Sequence, residues 1–204
     1  MISKIAEKAV DKLFNCGEIS SDDKELYVYG FFMLFSKIFY FLLTAIYGLI
    51  FGIVLESITF YLTFVLIRGY AGGVHASSET NCTIATSSLL LVCIYLIRVQ
   101  ILSNIMVIPA VVLLISMISI AFLCPIDSPE KRLDRETRKE YKKKSLLSLC
   151  VILFLAIFAL MLGWRGGFYA CVTCVLFETI LLISAYIKSS SKNDSGHSTQ
   201  NNTK

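Results

Sequence analysis

The chain has 204 residues, of which 56% are hydrophobic and only 17% are charged, and its mean hydropathy is +0.71. A soluble domain carries about 25% charged residues, so this composition excludes an ordinary soluble domain and indicates a helical membrane protein. The net charge of +4 is modest, and no nucleic-acid partner is expected. The seven cysteines are odd in number and lie mostly in apolar segments, which is typical of a reduced, cytosol-facing protein rather than a disulfide framework.

The N-terminal segment, residues 1–25, is the most polar part of the first half of the chain. Its first sixteen residues place apolar side chains on one helical face and charged side chains on the other, which predicts a short amphipathic helix. Two interpretations are open. The helix either lies in the membrane interface or packs on the protein's own cytosolic face.

Residues 26–67 are almost continuously apolar, and Lys37 and Glu56 are their only charges. As one helix they would extend about 63 Å, roughly twice the hydrocarbon thickness of about 30 Å, so two spans are expected. A charge at mid-bilayer is unfavourable by about 3 kcal/mol. Placing both charges near interfaces predicts a first span over 38–54, a turn near Glu56 and a second helix from Ser57.

Residues 26–36 either extend the first span or lie flat on the membrane. Four further apolar segments follow, at about 84–101, 104–123, 146–163 and 167–187. The predicted fold class is therefore all-α: a polytopic integral membrane protein with about six transmembrane helices and an N-terminal amphipathic helix. Residues 26–187 form the transmembrane domain, and the polar, low-complexity residues 188–204 are predicted to be a disordered cytoplasmic tail.

The orientation of the chain follows from the loop at residues 124–144, between the fourth and fifth apolar segments. The loop is rich in basic residues, which marks it as cytoplasmic: Lys131, Arg132, Arg135, Arg138, Lys139, Lys142, Lys143 and Lys144. With six spans, the N-terminus, residues 68–83 and the C-terminus fall on this same side. These charges have two open interpretations: they determine topology only, or they also form a docking surface for an acidic peptide and anionic lipid.

One stretch interrupts the apolar pattern, "RGYAGGVHASSETNC", from Arg68 to Cys82. Irregular backbone at membrane depth is tolerated only where protein or a water-filled cavity surrounds it, so the three glycines predict a cavity near the cytosolic membrane face. His75 is the only histidine outside the C-terminal tail. A histidine and a cysteine in a polar pocket are a candidate general base and nucleophile.

The other interpretation of Cys82 is a small packing residue, as we expect for Cys93, Cys150, Cys171 and Cys174 in the apolar segments. Cys82 differs from these because its neighbours are Glu79, Thr80 and Asn81. On chemistry alone the two interpretations are equally supported. A metal site is not expected, since one histidine and one cysteine fall short of the three or four ligands that such sites use, and no other cofactor is expected.

The stretch "RGYAGGVHA", followed by the cysteine of "TNC", resembles the accessory gene regulator B family of bacterial quorum sensing, and "CPIDSPEKR" is similar to that family's segment after the fourth span. The resemblance implies a cysteine endopeptidase of the bacterial cell membrane. Such an enzyme removes the C-terminal tail of an autoinducer precursor peptide and promotes formation of a thiolactone or lactone ring.

The resemblance also implies roles for individual residues. Cys82 would be the nucleophile, His75 the general base, and four residues would shape the site: Arg68, Gly69, Gly72 and Gly73. The family's precursors carry an acidic tail, which makes five residues of the basic loop candidate substrate-binding residues: Lys131, Arg132, Lys142, Lys143 and Lys144. Besides the precursor, the implied partners are membrane lipid and a second copy of the chain in a homodimer.

Glu178 is the only acid inside the last apolar segment, and intramembrane carboxylates are commonly functional. Two interpretations are open: a structural ion pair, for which Arg98 and Arg165 are candidate partners, or a substrate contact. Composition alone also permits a small transporter or peptide exporter without catalysis. A structural membrane protein accounts for the apolar composition but leaves the glycine-rich stretch unexplained.

Overall fold

The computed structural model describes residues 2–16, 20, 23–71, 79–103, 105–124 and 135–200. In these ranges the chain is a bundle of α-helices without a strand, as the composition predicts. The helices, in chain order, are α1 (Ile2–Asn15), α2 (Lys24–Phe51), α3 (Val54–Ala71), α4 (Glu79–Ser103), α5 (Val107–Leu123), α6 (Arg135–Met161) and α7 (Arg165–Gln200).

Four of the described helices are long and apolar enough to cross a membrane, namely α2, α4, α6 and α7. α5 is a shorter apolar helix, and α3 has 18 residues, which extend over about 27 Å. Large apolar side chains are exposed along most of the bundle. Because the bilayer is the solvent for such a surface, the exposed side chains are suited to contact lipid.

The last helix, α7, is the centre of the bundle and contacts α3, α4, α5 and α6. Its segment 168–175 is buried throughout. Polar side chains link it to its neighbours: Gln100 Nε2 on α4 donates to Thr173 Oγ1 over 3.1 Å, and Thr179 Oγ1 donates to the Ser116 carbonyl on α5 over 3.2 Å. α7 therefore sets the positions of the helices around it.

The amphipathic helix α1 packs against the second helix, α2. Its buried side chains are Ile2, Ala6 and Val10, and Asp11 forms an ion pair of 2.7 Å with Lys24 at the start of α2. Of the two sequence-based interpretations, the structure favours the helix packed on the protein itself.

The helix α2 begins at Lys24, fourteen residues before the predicted start at residue 38. Residues 26–36 therefore extend the first span. The tight turn also differs from the prediction: it lies at Gly52 and Ile53, before Glu56. Gly52 has φ +67, and the N–H of Ile53 donates to the Gly48 carbonyl over 2.8 Å. This is the hydrogen-bond pattern by which a left-handed glycine ends a helix.

A matching turn joins α6 to α7. Gly163 has φ +70, and the N–H of Trp164 donates to the Ala159 carbonyl over 2.8 Å. The two turns contact each other, because Trp164 Nε1 donates to Glu56 Oε1 over 2.9 Å. This end of the bundle is thus fastened by a carboxylate on α3 and an indole at the start of α7.

At the other end of the chain, α7 is described as far as Gln200. The disorder of residues 188–204 stays a prediction, because no side chain is described beyond Ile187. Residues 201–204 lie outside the described ranges.

Replacement of Gly48 by alanine is expected to destabilise the bundle. A Cβ at Gly48 would lie 2.9 Å from the Val54 Cα and 2.8 Å from Ser57 Oγ. Relief of this clash requires the backbone of α3 to shift, which is unfavourable in a packed helix pair. Overpacking of this kind costs about 1–3 kcal/mol of unfolding free energy. Gly30, on the same helix, has nothing within 4 Å of its Cβ position. Thermal unfolding in detergent should therefore show a lower midpoint temperature for Gly48→Ala than for the wild type, and no decrease for Gly30→Ala. Equal midpoints for the two variants would contradict the packing described.

Candidate functional site

The end of α3 where the glycine-rich stretch begins is held to α7 by an ion pair. Arg68, in the last turn of α3, places Nη1 3.4 Å from Oε1 of Glu178. The Glu178 side chain is fully buried, and the Arg68 side chain is 25% exposed. The described partner of Glu178 is therefore Arg68 rather than the candidates Arg98 and Arg165, because α3 and α7 are parallel neighbours that bring Arg68 to the same depth.

Two further contacts fix the same end of α3. Cys124, directly after α5, has its Sγ 3.8 Å from the Tyr70 carbonyl oxygen and 3.1 Å from Ser145 Oγ on α6. The Tyr70 ring meets the Tyr141 ring edge-on, with centroids 6.3 Å apart. Helices α5, α6 and α7 thus converge on the last turn of α3.

The predicted catalytic pair is only partly described. Cys82 lies in the first turn of α4, which begins at Glu79, but its side chain is not described. His75 lies outside the described residues, and so do Gly72 and Gly73. The contact between Cys82 and His75 therefore stays a prediction.

Gly69 follows Arg68 on an exposed face of α3. A Cβ at Gly69 would have no described atom within 4 Å outside its own helix backbone. Packing within the described part of the bundle thus does not require glycine at this position, in contrast to Gly48.

Of the candidate substrate-binding residues, Lys131 and Arg132 lie outside the described residues. Lys142, Lys143 and Lys144 are exposed on the first part of α6. Lys144 Nζ is 3.6 Å from a carboxylate oxygen of Glu140, one turn earlier. The three lysines lie between Tyr141 and Ser145 in the sequence. Because Tyr141 contacts Tyr70, they are at the same end of the bundle as Arg68.

The cysteines that the sequence analysis assigned to packing differ in exposure. Cys93, Cys171 and Cys174 are buried in the hydrophobic core, as packing residues are. Cys150 is exposed on α6. In the part of the chain that the structure describes, no group of three or more metal-ligating side chains comes together.

Sequence reasoning missed how Arg68 and Tyr70 are held. One signal for the ion pair was present: a carboxylate inside an apolar helix needs a cation at the same depth, and Arg68 ends an apolar run. The contacts of Cys124, Tyr141 and Ser145 carry no such signal, because these residue types are common in helices of any role.

An all-α bundle with several helices long and apolar enough to cross a membrane, and with an ion pair between α3 and α7, defines a polytopic membrane protein. The family model "Accessory gene regulator B" matches residues 4–191. The chain belongs to this family, and it therefore acts in quorum sensing, in the processing of an autoinducer precursor peptide at the membrane.

Two relatives from Clostridium perfringens support the assignment. The chain is 28% identical over 174 residues to AgrB-like protein 2 of strain 13 / Type A, covering 82% of this chain and 81% of the relative. It is also 28% identical over 188 residues to an AgrB-like protein of strain SM101 / Type A, covering 89% and 87% of the two chains. No solved structure is significantly similar to the chain.

Proposed function

We propose that the protein is a membrane cysteine endopeptidase that removes the C-terminal tail of an autoinducer precursor and promotes closure of the peptide ring. The observation that carries this proposal is the family match over residues 4–191, which includes the whole stretch from Arg68 to Cys82. In this proposal Cys82 is the nucleophile and His75 the general base.

The sequence around Cys82 supports the proposal. Its neighbours Glu79, Thr80 and Asn81 are polar or charged. Cysteine reacts as the anionic thiolate, which polar surroundings favour and apolar surroundings disfavour.

The first half of the proposed reaction forms an acyl-enzyme. His75 takes the proton of the Cys82 thiol, and the thiolate attacks the scissile carbonyl of the precursor. The C–N bond then breaks, and His75 returns the proton to the leaving amine of the tail. The N-terminal part of the precursor stays bound to Cys82 as a thioester.

The second half closes the ring. A thiol within the precursor attacks the Cys82 thioester, which exchanges one thioester for another at nearly equal free energy and releases the Cys82 thiol. A serine hydroxyl at that position in the precursor would give a lactone instead. Because the internal nucleophile is held near the thioester, ring closure has the advantage of proximity over hydrolysis.

The proposed site faces the cytoplasm, as the basic loop predicts. Its partners are then the precursor peptide, the surrounding lipid and a second copy of the chain. The exposed lysines Lys142, Lys143 and Lys144 form a positive patch on α6 that is complementary to an acidic precursor tail.

Replacement of these three lysines by glutamine is expected to raise the KM for the precursor, with little change in kcat, because the lost attraction acts before the chemical step. The increase should shrink as salt rises, since screening weakens the attraction in the wild type as well. The matched control replaces Lys4, Lys8 and Lys12, which are exposed on α1. A KM that is unchanged at every salt concentration, or raised equally in the control, would exclude α6 as the docking surface.

The proposed function is tested with the purified protein in lipid vesicles and the precursor encoded beside its gene. Mass spectrometry is expected to show release of a C-terminal tail and a ring product lighter by that tail. A precursor that binds the protein but remains intact would contradict the peptidase and favour transport.

A further inference from the structure

Helices α3 and α7 are fastened to each other at both ends, and in each case by a carboxylate. At one end Glu56 of α3 accepts from the Trp164 indole, and at the other Glu178 of α7 pairs with Arg68 of α3. The two contacts are about 18 Å apart along α3 at 1.5 Å per residue. Both contacts join the same two helices through a carboxylate, so replacing one carboxylate is a matched control for replacing the other.

The two carboxylates differ in their surroundings. Glu56 is half-buried, whereas Glu178 is fully buried and its Oε2 has no hydrogen-bond partner among the described residues. An unsatisfied acceptor at a buried position destabilises a fold. Well-packed apolar side chains in place of a buried ion pair are often at least as stabilising, so stability alone does not account for the Glu178–Arg68 pair.

The place of Arg68 suggests what the pair does instead. Arg68 lies in the last turn of α3, three residues before the described part of that helix ends at Ala71. Glu178 holds one guanidinium nitrogen from α7, while Cys124 and Tyr141 hold the next residue but one, Tyr70, from α5 and α6. The last described turn of α3 is thus contacted by α7, by α6 and by the residue that follows α5.

We propose that Glu178 is a positioning residue for the peptidase reaction, which acts by holding the guanidinium of Arg68 and thereby fixing the end of α3 from which the site-forming stretch departs. The inference rests on the proposed function, since it assigns Glu178 to the site of Cys82. Glu178 does not contact the substrate in this role, because its side chain is fully buried.

The first experiment compares Glu178→Gln with Glu56→Gln in lipid vesicles. Both changes keep the shape of the side chain and remove one carboxylate between α3 and α7. Glu178→Gln is expected to lower kcat about 100-fold, the effect of misplacing reacting groups by about 1 Å, with KM changed less than about threefold. Glu56→Gln is expected to keep the wild-type kcat. Equal kcat values for the two variants, per folded molecule, would overturn the proposal.

A double-mutant cycle tests whether Glu178 acts through Arg68. Arg68→Gln and Glu178→Gln are each measured alone and together, with the folded fraction determined for each variant. If Glu178 acts only by holding Arg68, the double variant is expected to lose no more kcat than Arg68→Gln alone. Losses that multiply would contradict action through Arg68.

The double variant also keeps the test valid if Glu178→Gln alone misfolds. It removes both charges of the pair, so neither is left without a counter-ion. A folded double variant with the low kcat of Arg68→Gln supports the proposal, and one with wild-type kcat overturns it. Failure of the proposed function is a separate outcome: the wild-type protein itself would then release no tail.

Discussion

Replacement of Cys82 by alanine is expected to abolish processing of the precursor while leaving the protein folded and able to bind the peptide. Loss of the nucleophile in a protease lowers kcat on the order of 10⁶-fold, so no tail release should be measurable. The physical reason is that no other group in the proposed mechanism forms the acyl bond. The measurement is the rate of tail release in vesicles, by mass spectrometry.

The chain provides a matched control for this result. Cys150 is exposed on α6, and Cys150→Ala is expected to process the precursor at the wild-type rate. Processing at the wild-type rate by Cys82→Ala would contradict the proposal that Cys82 is the nucleophile of a cysteine peptidase. A loss of activity in both variants would instead indicate a general sensitivity of the bundle to cysteine replacement.

Replacement of His75 by alanine is expected to lower kcat about 10²–10⁴-fold, the usual contribution of a general base. The loss should depend on pH. Without a base, a thiol becomes thiolate only as the pH rises past about 8.5, so the residual rate should increase towards alkaline pH. The wild type should gain less over that range, because His75 already accepts the proton near neutral pH.

The control for this variant is His197→Ala, since His197 is the only other histidine in the chain. It is expected to keep the wild-type rate and pH profile. A residual rate in His75→Ala that is independent of pH between 7 and 9 would contradict a base acting on the Cys82 thiol.

Much of the fold could be predicted from the sequence, because the length and spacing of apolar segments depend on bilayer thickness. The segments predicted at 104–123 and 146–163 correspond to α5 and α6, although α6 begins earlier, at Arg135. Helix starts were the least predictable feature. Basic and polar residues at a membrane surface are compatible with a helix, so the end of an apolar run does not mark the end of the helix.

The contacts between helices were much harder to predict. Glu178 was identified as unusual, but its partner is Arg68 rather than Arg98 or Arg165. The choice among these three arginines depends on which helices are neighbours and on whether they run parallel. Neither property can be read from hydropathy, because every apolar helix can pack against several others.

The candidate site, too, could be predicted only in part. Its residue types, a histidine and a cysteine among glycines, were visible in the stretch from Arg68 to Cys82. The contacts that Cys124 and Tyr141 make with Tyr70 could not be predicted, because they depend on how α5 and α6 pack in the folded protein. Such contacts join residues that are distant in sequence and have no characteristic spacing.

The central claim is that Cys82 forms an acyl bond with the precursor. The most direct measurement is the intact mass of the protein after a short incubation with a precursor whose internal ring nucleophile is replaced by alanine, which removes the ring-closing step. We expect a mass increase equal to the N-terminal part of the precursor, located on Cys82 by tandem mass spectrometry and removed by hydroxylamine, which cleaves thioesters. Release of the tail with no adduct on Cys82, or with an adduct on another residue, would contradict the account.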